Sequence, residues 1–596
     1  MQTFRWNFSV ALTVFMVLTN LSGNFYQMHL KRASSITIIQ PDGNNDIVSE
    51  GNDFATRVLR SPWDMSLPPY PDFPSVLGNF SRSSLNVSSG MWSMNTTNGD
   101  PRVNIYPTGL AQIALNVGSR FPIDASRYVL LSFRMCSSQS GSGQIYWFYD
   151  QTYTKFAGSN FFSVSSGCRI YVIDLRYIGT NTLVGGANGW NGNPVGLSID
   201  PINLGSNVLI QFDWIRLTTA STSSYLPISW QNLVGTNIEF YVDTNNTGYD
   251  GEKIGVVSGA SANGTFNWGS ALLNGGSAGS PYPLPESLQP GTYYVYALVD
   301  GAQAGYSSGS FTVDGTPILS FSRPSATSGD DYATVVGNDP WDLSNSQDLS
   351  STTNIANYSF NAGILNAQTN SSGDPQIYMH TFSQIDTSRY KYLTYRMYVE
   401  GTQDIGVGWV TRWLWDGPTW STTKDIVIYE GWQTYSVDLS KIGLEPGSSG
   451  WTGLKSFFRL DPLEVPAPMP FHLDYVMLTA DERVQQGTAF PIIYQISETS
   501  GVTINLCYDT DQNPANGKVS MQIYSPPPPT GGSYLIYLPL VYRTYVFSDL
   551  PRPLGTNQLW NTSSVSIGTY YICADVSDGV NTATWYSDTP IIVVNQ

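Results

Sequence analysis

The strongest constraint on the fold is an internal duplication, in which a series of short motifs recurs in the same order about 260 to 280 residues further along the chain. Self-similarity at a fixed spacing indicates a repeated structural unit. The spacing is too long for a solenoid, so it predicts a duplicated pair of ordinary domains. The matching motifs are NDFAT at 52–56 and DDYAT at 330–334, SPWD at 61–64 and DPWD at 339–342, GDP at 99–101 and 373–375, DASRY at 124–128 and DTSRY at 386–390, SFRM at 132–135 and TYRM at 394–397, YVIDL at 171–175 and YSVDL at 435–439, GW at 189–190 and 450–451, DP at 200–201 and 461–462, FDW at 212–214 and LDY at 473–475, IEFYVDT at 238–244 and INLCYDT at 504–510, and GTYYVYA at 291–297 and GTYYICA at 568–574.

Each repeat contains a longer domain followed by a shorter one. Segments such as 212–217, 473–478 and 504–508 alternate or run apolar over five or six residues, which is typical of strands, and turn-forming residues separate them. Many short strands with regular turn signals predict an all-β chain of tandem jelly-roll-like sandwiches alternating with immunoglobulin-like sandwiches. The predicted domains are A1 (31–221, jelly roll), B1 (222–316, immunoglobulin-like), A2 (317–480, jelly roll) and B2 (481–596, immunoglobulin-like), after an N-terminal segment at 1–30.

Composition narrows the possible partners of this 596-residue chain. Its formal net charge is −17 and only 12% of its residues are charged, whereas 13% are aromatic. Nucleic-acid binding requires a basic surface, so this charge argues against it. Anionic membranes and acidic polymers are excluded by the same repulsion unless a cation bridges. Neutral polymers remain as partners.

The N-terminus predicts export. Arg5 precedes an apolar run from about Val10 to Leu18 and a polar exit, which is the pattern of a secretory signal. The small-residue cleavage site around 21–23 is weak, so an uncleaved anchor is the alternative. No later apolar run reaches the ~18 residues of a spanning helix. We therefore expect an extracellular or cell-surface protein with no transmembrane domain beyond that possible N-terminal anchor.

The four cysteines can be paired through the duplication. In A1 and in B2, both cysteines are replaced by aromatic residues in the other copy of the domain, which is what a bonded pair predicts. The aligned positions are Cys136 with Tyr398, Cys168 with Trp432, Cys507 with Tyr241 and Cys573 with Tyr296. We predict the disulfides Cys136–Cys168 and Cys507–Cys573, the second joining two strands across the core as in immunoglobulin domains.

B2 carries an insertion at 525–546 that B1 lacks. Four prolines, which favour extended polyproline II, precede the apolar segment 534–546. The segment is expected to form an ordered hairpin. The alternative is an edge strand that pairs with a neighbouring molecule, because exposed apolar edges recruit partners.

A1 and A2 resemble the β-sandwich carbohydrate-binding modules of secreted bacterial glycanases. The resemblance rests on the motifs at 431–439, 450–451, 460–462 and 473–475, taken in order, and covers about 350 residues over both copies. B1 and B2 are similar to bacterial immunoglobulin-like or fibronectin-type spacers. The combined style resembles that of secreted and cell-surface proteins of filamentous green bacteria. It implies polysaccharide or a cell-surface glycan as partner.

Sugar binding needs flat aromatic faces with a few polar groups beside them. A2 and A1 offer aromatic clusters at matching places. The candidate binding residues are Trp409, Trp413, Trp415 and Trp420 in A2 and Tyr146, Trp147 and Tyr149 in A1. Trp413 and Trp415 lie two apart, so they share one face of a strand. That face is either an exposed platform or the core.

The resemblance also implies a structural Ca²⁺ in each jelly roll, held by carboxylates at the start of the domain and on its closing strand. Asp53 and Asp213 are the candidate ligands in A1, and Asp331 and Asp474 are those in A2. Hard oxygen ligands suit calcium. The alternative for these aspartates is turn and cap duty. The acidic loops at 243–247 and 509–513 lack the Glu of a calcium loop and are interpreted as hairpin turns.

Catalysis has no sequence support, because the three histidines are far apart and no hydrolase, metalloprotease or P-loop motif occurs. We expect no enzyme and no catalytic residues. The first hypothesis is a secreted, non-catalytic protein whose jelly rolls bind polysaccharide. The alternative is a structural envelope or filament subunit, or adhesin, whose domains mediate assembly only. A third hypothesis, an enzyme with an unrecognised site, is the weakest.

Overall fold

The computed structural model describes residues 34–60, 62–65, 77–88, 90–106, 121–150, 154–220, 225–269, 275–400, 409–416, 420–428, 431–463, 467–497, 501–521, 523–524 and 556–595. The N-terminal segment 1–30 and the insertion 525–546 lie outside these residues, so their roles stay predictions. The described residues contain no helix with the length and hydrophobicity that a membrane span requires.

The chain folds as two compact units. The first comprises Met1–Asp46, Leu226–Trp268 and Thr292–Phe311, and the second comprises Ile47–Tyr225, Gly269–Gly291 and Thr312–Gln596. Both are built from β-strands, as the alternating sequence pattern predicts, so the all-β fold of tandem sandwiches is confirmed.

The first repeat contains 23 described strands in chain order. They are β1 (Ser35–Gln40), β2 (Ile47–Ser49), β3 (Leu77–Gly78), β4 (Phe80–Ser88), β5 (Met91–Thr96), β6 (Arg102–Tyr106), β7 (Tyr128–Ser137), β8 (Gly141–Phe148), β9 (Phe156–Ser159), β10 (Phe162–Val164), β11 (Gly167–Asp174), β12 (Thr180–Val184), β13 (Gly196–Asp200), β14 (Leu209–Thr219), β15 (Leu226–Val234), β16 (Asn237–Asp243), β17 (Glu252–Ser258), β18 (Gly264–Trp268), β19 (Gly276–Ser277), β20 (Ser280–Pro281), β21 (Gly291–Val299), β22 (Ala302–Tyr306) and β23 (Phe311–Asp314). A π-helical turn, Ala55–Leu59, follows β2, and a 3-10 turn, Pro285–Ser287, precedes β21.

The second repeat has a similar order of strands. They are β24 (Leu319–Arg323), β25 (Leu349–Thr353), β26 (Ile355–Asn361), β27 (Ile364–Thr369), β28 (Gln376–Met379), β29 (Ile385–Asp386), β30 (Tyr390–Val399), β31 (Trp409–Trp415), β32 (Ser421–Thr422), β33 (Ile426–Ile428), β34 (Gly431–Asp438), β35 (Leu454–Lys455), β36 (Phe458–Asp461), β37 (Pro470–Ala480), β38 (Glu482–Gln485), β39 (Ala489–Ile496), β40 (Thr503–Asp509), β41 (Val519–Ser520), β42 (Ile523–Tyr524), β43 (Thr556–Asn561), β44 (Gly568–Ser577), β45 (Thr582–Tyr586) and β46 (Ile591–Val594). A π-helical turn, Ala333–Gly337, and a 3-10 turn, Ser346–Asp348, follow β24.

A1 is a sandwich of two antiparallel sheets. The larger sheet has the order β12-β9-β8-β13-β6-β3, with β10 on β8, and the smaller has the order β11-β7-β14-β5-β4. Successive side chains of a strand point to opposite faces. In β13, Leu197 and Ile199 are therefore buried in the core between the sheets, whereas Ser198 and Asp200 lie on the opposite face. We call that opposite face of the larger sheet the outer face.

A2 repeats this architecture. Its larger sheet has the order β25-β28-β36-β31-β32, with β33 on β31, and its smaller sheet has the order β26-β27-β37-β30-β34. Phe458 and Leu460 of β36 point into the core, so Arg459 and Asp461 lie on the outer face. The two outer faces are therefore built from equivalent strands.

One sheet of each immunoglobulin-like domain takes its first strand from a segment that precedes a jelly roll in the sequence. β1 pairs antiparallel with β15, and β24 pairs antiparallel with β39. The predicted domain boundaries place β1 in A1 and β24 in A2. These pairings show that both strands belong to the immunoglobulin-like domains, which corrects the boundaries. A jelly roll is thus inserted between two paired strands of the neighbouring immunoglobulin-like sheet.

The insertion point differs between the repeats. Two parallel strand pairs occur in the second unit, β2 with β23 and β38 with β46. β2 precedes the first jelly roll in the sequence, whereas β38 follows the second one. The strand that pairs in parallel with the last strand of the immunoglobulin-like domain therefore comes before the jelly roll in the first repeat and after it in the second.

Both predicted disulfides are present, Cys136–Cys168 and Cys507–Cys573. Each joins directly opposite residues of adjacent strands in one sheet. The expectation that the second bridge crosses the core between sheets was therefore wrong.

The aromatic pairs that align with the disulfides occupy the same cross-strand positions. Tyr398 faces Trp432 with ring centroids 5.6 Å apart, and Tyr241 stacks on Tyr296 at 4.8 Å. A covalent and an aromatic cross-strand contact thus replace one another between copies.

Candidate functional site

Three of the predicted aromatic binding residues are core residues. Trp147, Trp413 and Trp415 are all 0% exposed, so of the two alternatives for Trp413 and Trp415 the core is confirmed, and none of the three can serve as an exposed binding residue. The spacing of two had placed Trp413 and Trp415 on one face correctly, but that face is the inner one. Tyr149 packs against the A1 core and its hydroxyl donates to the Gly189 carbonyl at 2.8 Å.

The other three lie elsewhere on the sheets. Trp420 is 57% exposed, just before β32. Tyr146 is half-buried on the outer face of A1. Trp409 begins β31, and its side chain lies outside the described part of the structure, so its role stays a prediction. These positions direct attention to the outer faces of the two larger sheets.

The outer face of A1 carries a row of polar residues on three neighbouring strands. Asp200 lies opposite Gln144 in the ladder between β13 and β8, and Ser198 lies opposite Tyr146. On the other side of β13, Ser198 faces Asn104 of β6. All of these side chains alternate with core residues, so the pleat itself gathers them on one face.

Several of these polar atoms have no hydrogen-bond partner although they are buried. They are both carboxylate oxygens of Asp200, the Ser198 hydroxyl, the side-chain amide oxygen of Asn104 and Nε of Arg102. The Arg102 Nε lies 3.7 Å from the Asp200 carboxylate, which is an ion-pair contact but too long for a hydrogen bond. Buried polar groups in native proteins are normally paired with protein or water. This cluster therefore offers both donors and acceptors to a bound polar molecule.

Burial also changes the charge of the cluster. Burial raises the pKa of Asp200 to about 8, with Arg102 opposing the shift and Asp100 adding to it. A carboxyl with this pKa is largely protonated at neutral pH, because charging it in a dry site is costly. It can then donate a hydrogen bond as well as accept one.

Two further side chains frame the A1 cluster. The Tyr146 hydroxyl donates to Oε1 of Gln144 at 2.8 Å, and Nε2 of Gln144 donates to the Ser159 carbonyl at 2.7 Å. The Arg102 guanidinium lies 5.4 Å from the centre of the Tyr146 ring. Tyr146 and Gln144 are thus fixed in position beside the unpartnered groups.

The outer face of A2 is a closed ionic network beside aromatic rings. Asp461 occupies the position of Asp200, and Arg459 that of Ser198, by the shared DP motif and ladder register. Arg459 donates to both carboxylate oxygens of Asp461, through Nη2 at 2.6 Å, and also to Asp374 at 3.1 Å. Two carboxylates therefore neutralise one guanidinium at the centre of the face.

Aromatic groups surround this guanidinium. Its central carbon lies 5.6 Å from the ring centre of Tyr378 and 5.9 Å from that of Trp420. Trp420 also contacts Phe457 edge-on, with ring centres 4.5 Å apart. The Tyr378 hydroxyl donates to Gln376 at 2.9 Å. Trp420 is the exposed ring of this group, with polar hydrogen-bonding groups next to it.

Sequence reasoning missed the central aspartates. Asp200 and Asp461 belong to the DP motif, and Asp374 to the GDP motif, both of which repeat in the two copies. The repetition was the available signal, but repetition alone does not distinguish a structural residue from a residue of a binding site. The structure brings both motifs of A2 together on one guanidinium.

The predicted calcium ligands bind protein donors. The Asp53 carboxylate accepts from the backbone N–H and hydroxyl of Thr56 and from the N–H of Leu217, each at 2.9 Å. Asp331 accepts the equivalent bonds from Thr334 and Leu478. Both carboxylates fasten the π-helical turn to the closing strand of their domain.

The closing-strand aspartates are also engaged. Asp213 pairs with Arg134 at 2.7 Å, and Asp474 pairs with Arg396. A calcium ion at any of these residues would have to replace such partners. Within the described ranges, no cluster of three or more acidic, His or Cys side chains is arranged to hold a metal ion. Calcium binding stays a prediction.

Comparison with known proteins adds little. No protein-family model matches the sequence, and no curated protein matches it. One solved structure, that of an agarase, is similar to part of the chain, with a TM-score of 0.18 and 14% identity over 26% of this chain and 24% of the agarase chain. The alignment thus spans about a quarter of the agarase, and likeness at this level carries no argument about function.

Proposed function

We propose that this is a non-catalytic extracellular protein that binds neutral polysaccharide through the outer faces of A1 and A2. The observation that carries the proposal is the A1 cluster around Asp200, in which buried donors and acceptors without partners share one sheet face. Sugar hydroxyls both donate and accept hydrogen bonds, so they match such a mixed set. Leaving these groups unpaired costs stability, which a bound ligand would recover.

The A2 face supports the same proposal in a different way. Trp420 presents an exposed ring next to Tyr378 and the Arg459 network. A flat aromatic face suits the CH groups of a sugar ring, and adjacent polar groups orient its hydroxyls. Because Asp461 and Asp374 neutralise Arg459, the face has no spare positive charge for an acidic glycan.

Export is part of the proposal. Two disulfides suit an oxidising compartment. The immunoglobulin-like domains serve as spacers, and two faces on one chain would bind a polymer with higher avidity than either alone.

The test is binding of the full chain to an array of neutral and acidic polysaccharides, followed by calorimetry on any glycan bound. We expect binding to neutral glycans, weakened about tenfold or more by Trp420→Ala and by Asp200→Asn. A lost stacking contact of 1–3 kcal/mol corresponds to roughly this factor.

Matched controls separate the outer faces from general surface effects. Tyr358→Ala removes an exposed aromatic ring from the smaller sheet of A2, and Asp213→Asn removes a carboxylate from the smaller sheet of A1. Both should bind as the unmodified chain does. Absence of binding to every glycan, or equal loss in the controls, would overturn the proposal.

A further inference from the structure

Each jelly roll begins with the same rigid feature, a five-residue π-helical turn. Ala55–Leu59 opens A1 and Ala333–Gly337 opens A2. Each turn is preceded by its buried aspartate and ends in a left-handed residue, Arg60 or Asn338. The two turns therefore have equivalent backbones. A difference between their contacts must come from their side chains and from the segments around them.

In A1 this turn contacts the last immunoglobulin-like domain. Nη1 of Arg57 donates to the Thr582 carbonyl at 2.5 Å. Nη1 of Arg60 pairs with Asp588 at 3.2 Å, and its guanidinium lies 5.9 Å from the centre of the Trp585 ring. The contact is centred on β45 and is polar and charged.

A neighbouring hydrogen-bonded residue extends this contact. Asn581, in the turn before β45, accepts from the Ser49 hydroxyl and donates to the carbonyls of Asp314 and Gly315 at 3.2 and 3.3 Å. An immunoglobulin-like domain of one repeat thus covers the jelly-roll turn of the repeat before it.

In A2 the corresponding turn is uncovered and apolar. Val335 stands at the position of Arg57, and Val336 follows it. Val335 is 50% exposed and Val336 is 40% exposed, so the part of the chain that the structure describes leaves both side chains accessible. Two adjacent exposed β-branched side chains on a rigid turn form an apolar spot at the place where the first repeat has an interface.

We propose that the A2 turn docks the first immunoglobulin-like domain of a second copy, through β22. This strand corresponds to β45, because Tyr306 and Tyr586 occupy the same ladder position opposite Tyr296 and Cys573. The occupant is inferred from the first contact, in which the immunoglobulin-like domain of the next repeat covers the A1 turn. The repeat that would follow A2 in the same way is the first repeat of a second copy, and its immunoglobulin-like domain is B1.

The side chains of the two surfaces have changed together. B1 has Gly305 where B2 has Trp585, and Ser308 where B2 has Asp588. The two side chains that receive Arg60 in the first contact are thus absent from B1, just as both arginines are absent from the A2 turn. An uncharged surface of small side chains is what Val335 and Val336 would fit.

The resulting contact joins different surfaces of two identical chains. Such heterologous contacts generate open chains of molecules when the rotation does not close. Each copy carries a net charge of −17, so copies repel one another at low salt. Screening weakens that repulsion while an apolar contact is retained, so association should increase with ionic strength.

The first test is sedimentation velocity of the full chain over a range of protein and salt concentrations. We expect the sedimentation coefficient to rise with both, and Val335→Asp combined with Val336→Asp to abolish the rise. Val256→Asp, at a similarly exposed valine on β17, is the matched control and should associate normally. Circular dichroism verifies that each variant is folded.

The second test identifies the occupant by cross-linking. All four native cysteines are in disulfides, so an introduced thiol reacts alone. A Val335→Cys copy mixed with a Ser308→Cys copy should form an intermolecular disulfide faster than with an Asp588→Cys copy. A monomer under all conditions, association unaffected by the valine substitutions, or preferential cross-linking to position 588 would each overturn the proposal.

Discussion

The outer faces of A1 and A2 share an aspartate at the same place and differ in how its charge is met. Asp461 is held by Arg459 from the same strand, whereas Asp200 makes no hydrogen bond to the described residues and has an ion-pair contact with Arg102 at 3.7 Å. Arg459 stands where A1 has Ser198, and its bonds to Asp461 and Asp374 close the network in A2. In A1 the missing partner leaves an open polar cluster.

The difference teaches that a duplicated scaffold can keep a residue and change its role. In A2 the central aspartate is bound in an ion pair with Arg459, and the group that is available to a ligand is the exposed ring of Trp420. In A1 the group that is available to a ligand is the carboxyl of the aspartate itself. The two faces should therefore respond differently to pH and to removal of the aspartate.

The largest expected difference is in pH dependence. Burial raises the folded-state pKa of Asp200 to about 8, well above the ordinary value of 3.8. Stability from this group is therefore fully present below about pH 4 and is lost as pH rises through 8. At about 1.4 kcal/mol for each pH unit between the two pKa values, the stability that A1 loses approaches about 6 kcal/mol.

Hydrogen exchange of the β13 amides, corrected for intrinsic rates, measures this loss. Protection should fall between pH 4 and 9, and Asp200→Asn should make it nearly independent of pH. A pH response that is the same with and without the carboxyl would contradict the assignment.

Removal of the central aspartate should have the next largest effect. Asp461→Ala leaves the buried Arg459 with only the exposed Asp374, and breaking a buried ion pair typically costs about 4 kcal/mol. Asp200→Ala removes no hydrogen bond, and because burial of this carboxyl takes stability from A1 at neutral pH, the substitution should not destabilise A1. Because a multidomain chain need not unfold in one step, the free energies should be read from exchange of β36 and β13 amides in urea. Equal costs in both domains would show that the two aspartates are supported alike.

The smallest of the three effects concerns the smaller sheets. Replacing Cys136 and Cys168 by Ala should destabilise A1 by about 3 kcal/mol, a typical value for a lost disulfide. The aromatic pair Tyr398 and Trp432 should couple by only about 1 kcal/mol in a double-mutant cycle. Urea unfolding monitored by exchange within each sheet compares them. A coupling as large as the disulfide would mean that the ring contact is a full substitute for the covalent bond.

Features encoded in aligned motifs were accessible from the sequence. The duplication and both cysteine pairs emerge from comparing one copy with the other, because paired residues are replaced together. The all-β class follows from strand-length apolar segments. These inferences need only local pattern and the repeat.

Features that depend on distant pairing were not accessible. The spacing of Trp413 and Trp415 sets a common face but not which face is inward, since that depends on the sheet packed against it. β1 and β15 pair across an intervening domain, and no local residue reports that partner. The role of Asp200 likewise depends on β6 and β8 lying beside β13, which only the ladder reveals.

The inserted arrangement of the second jelly roll has a mechanical consequence. The chain enters it after β24 and leaves it into β38, and β38 is held to the final strand β46 by a parallel ladder. Tension that draws the two parallel strands past each other loads all of those hydrogen bonds at once, whereas peeling an edge would break them singly. The end of the second repeat is thus built to resist shear, because a pull on the final strand is opposed by all the hydrogen bonds of that ladder together.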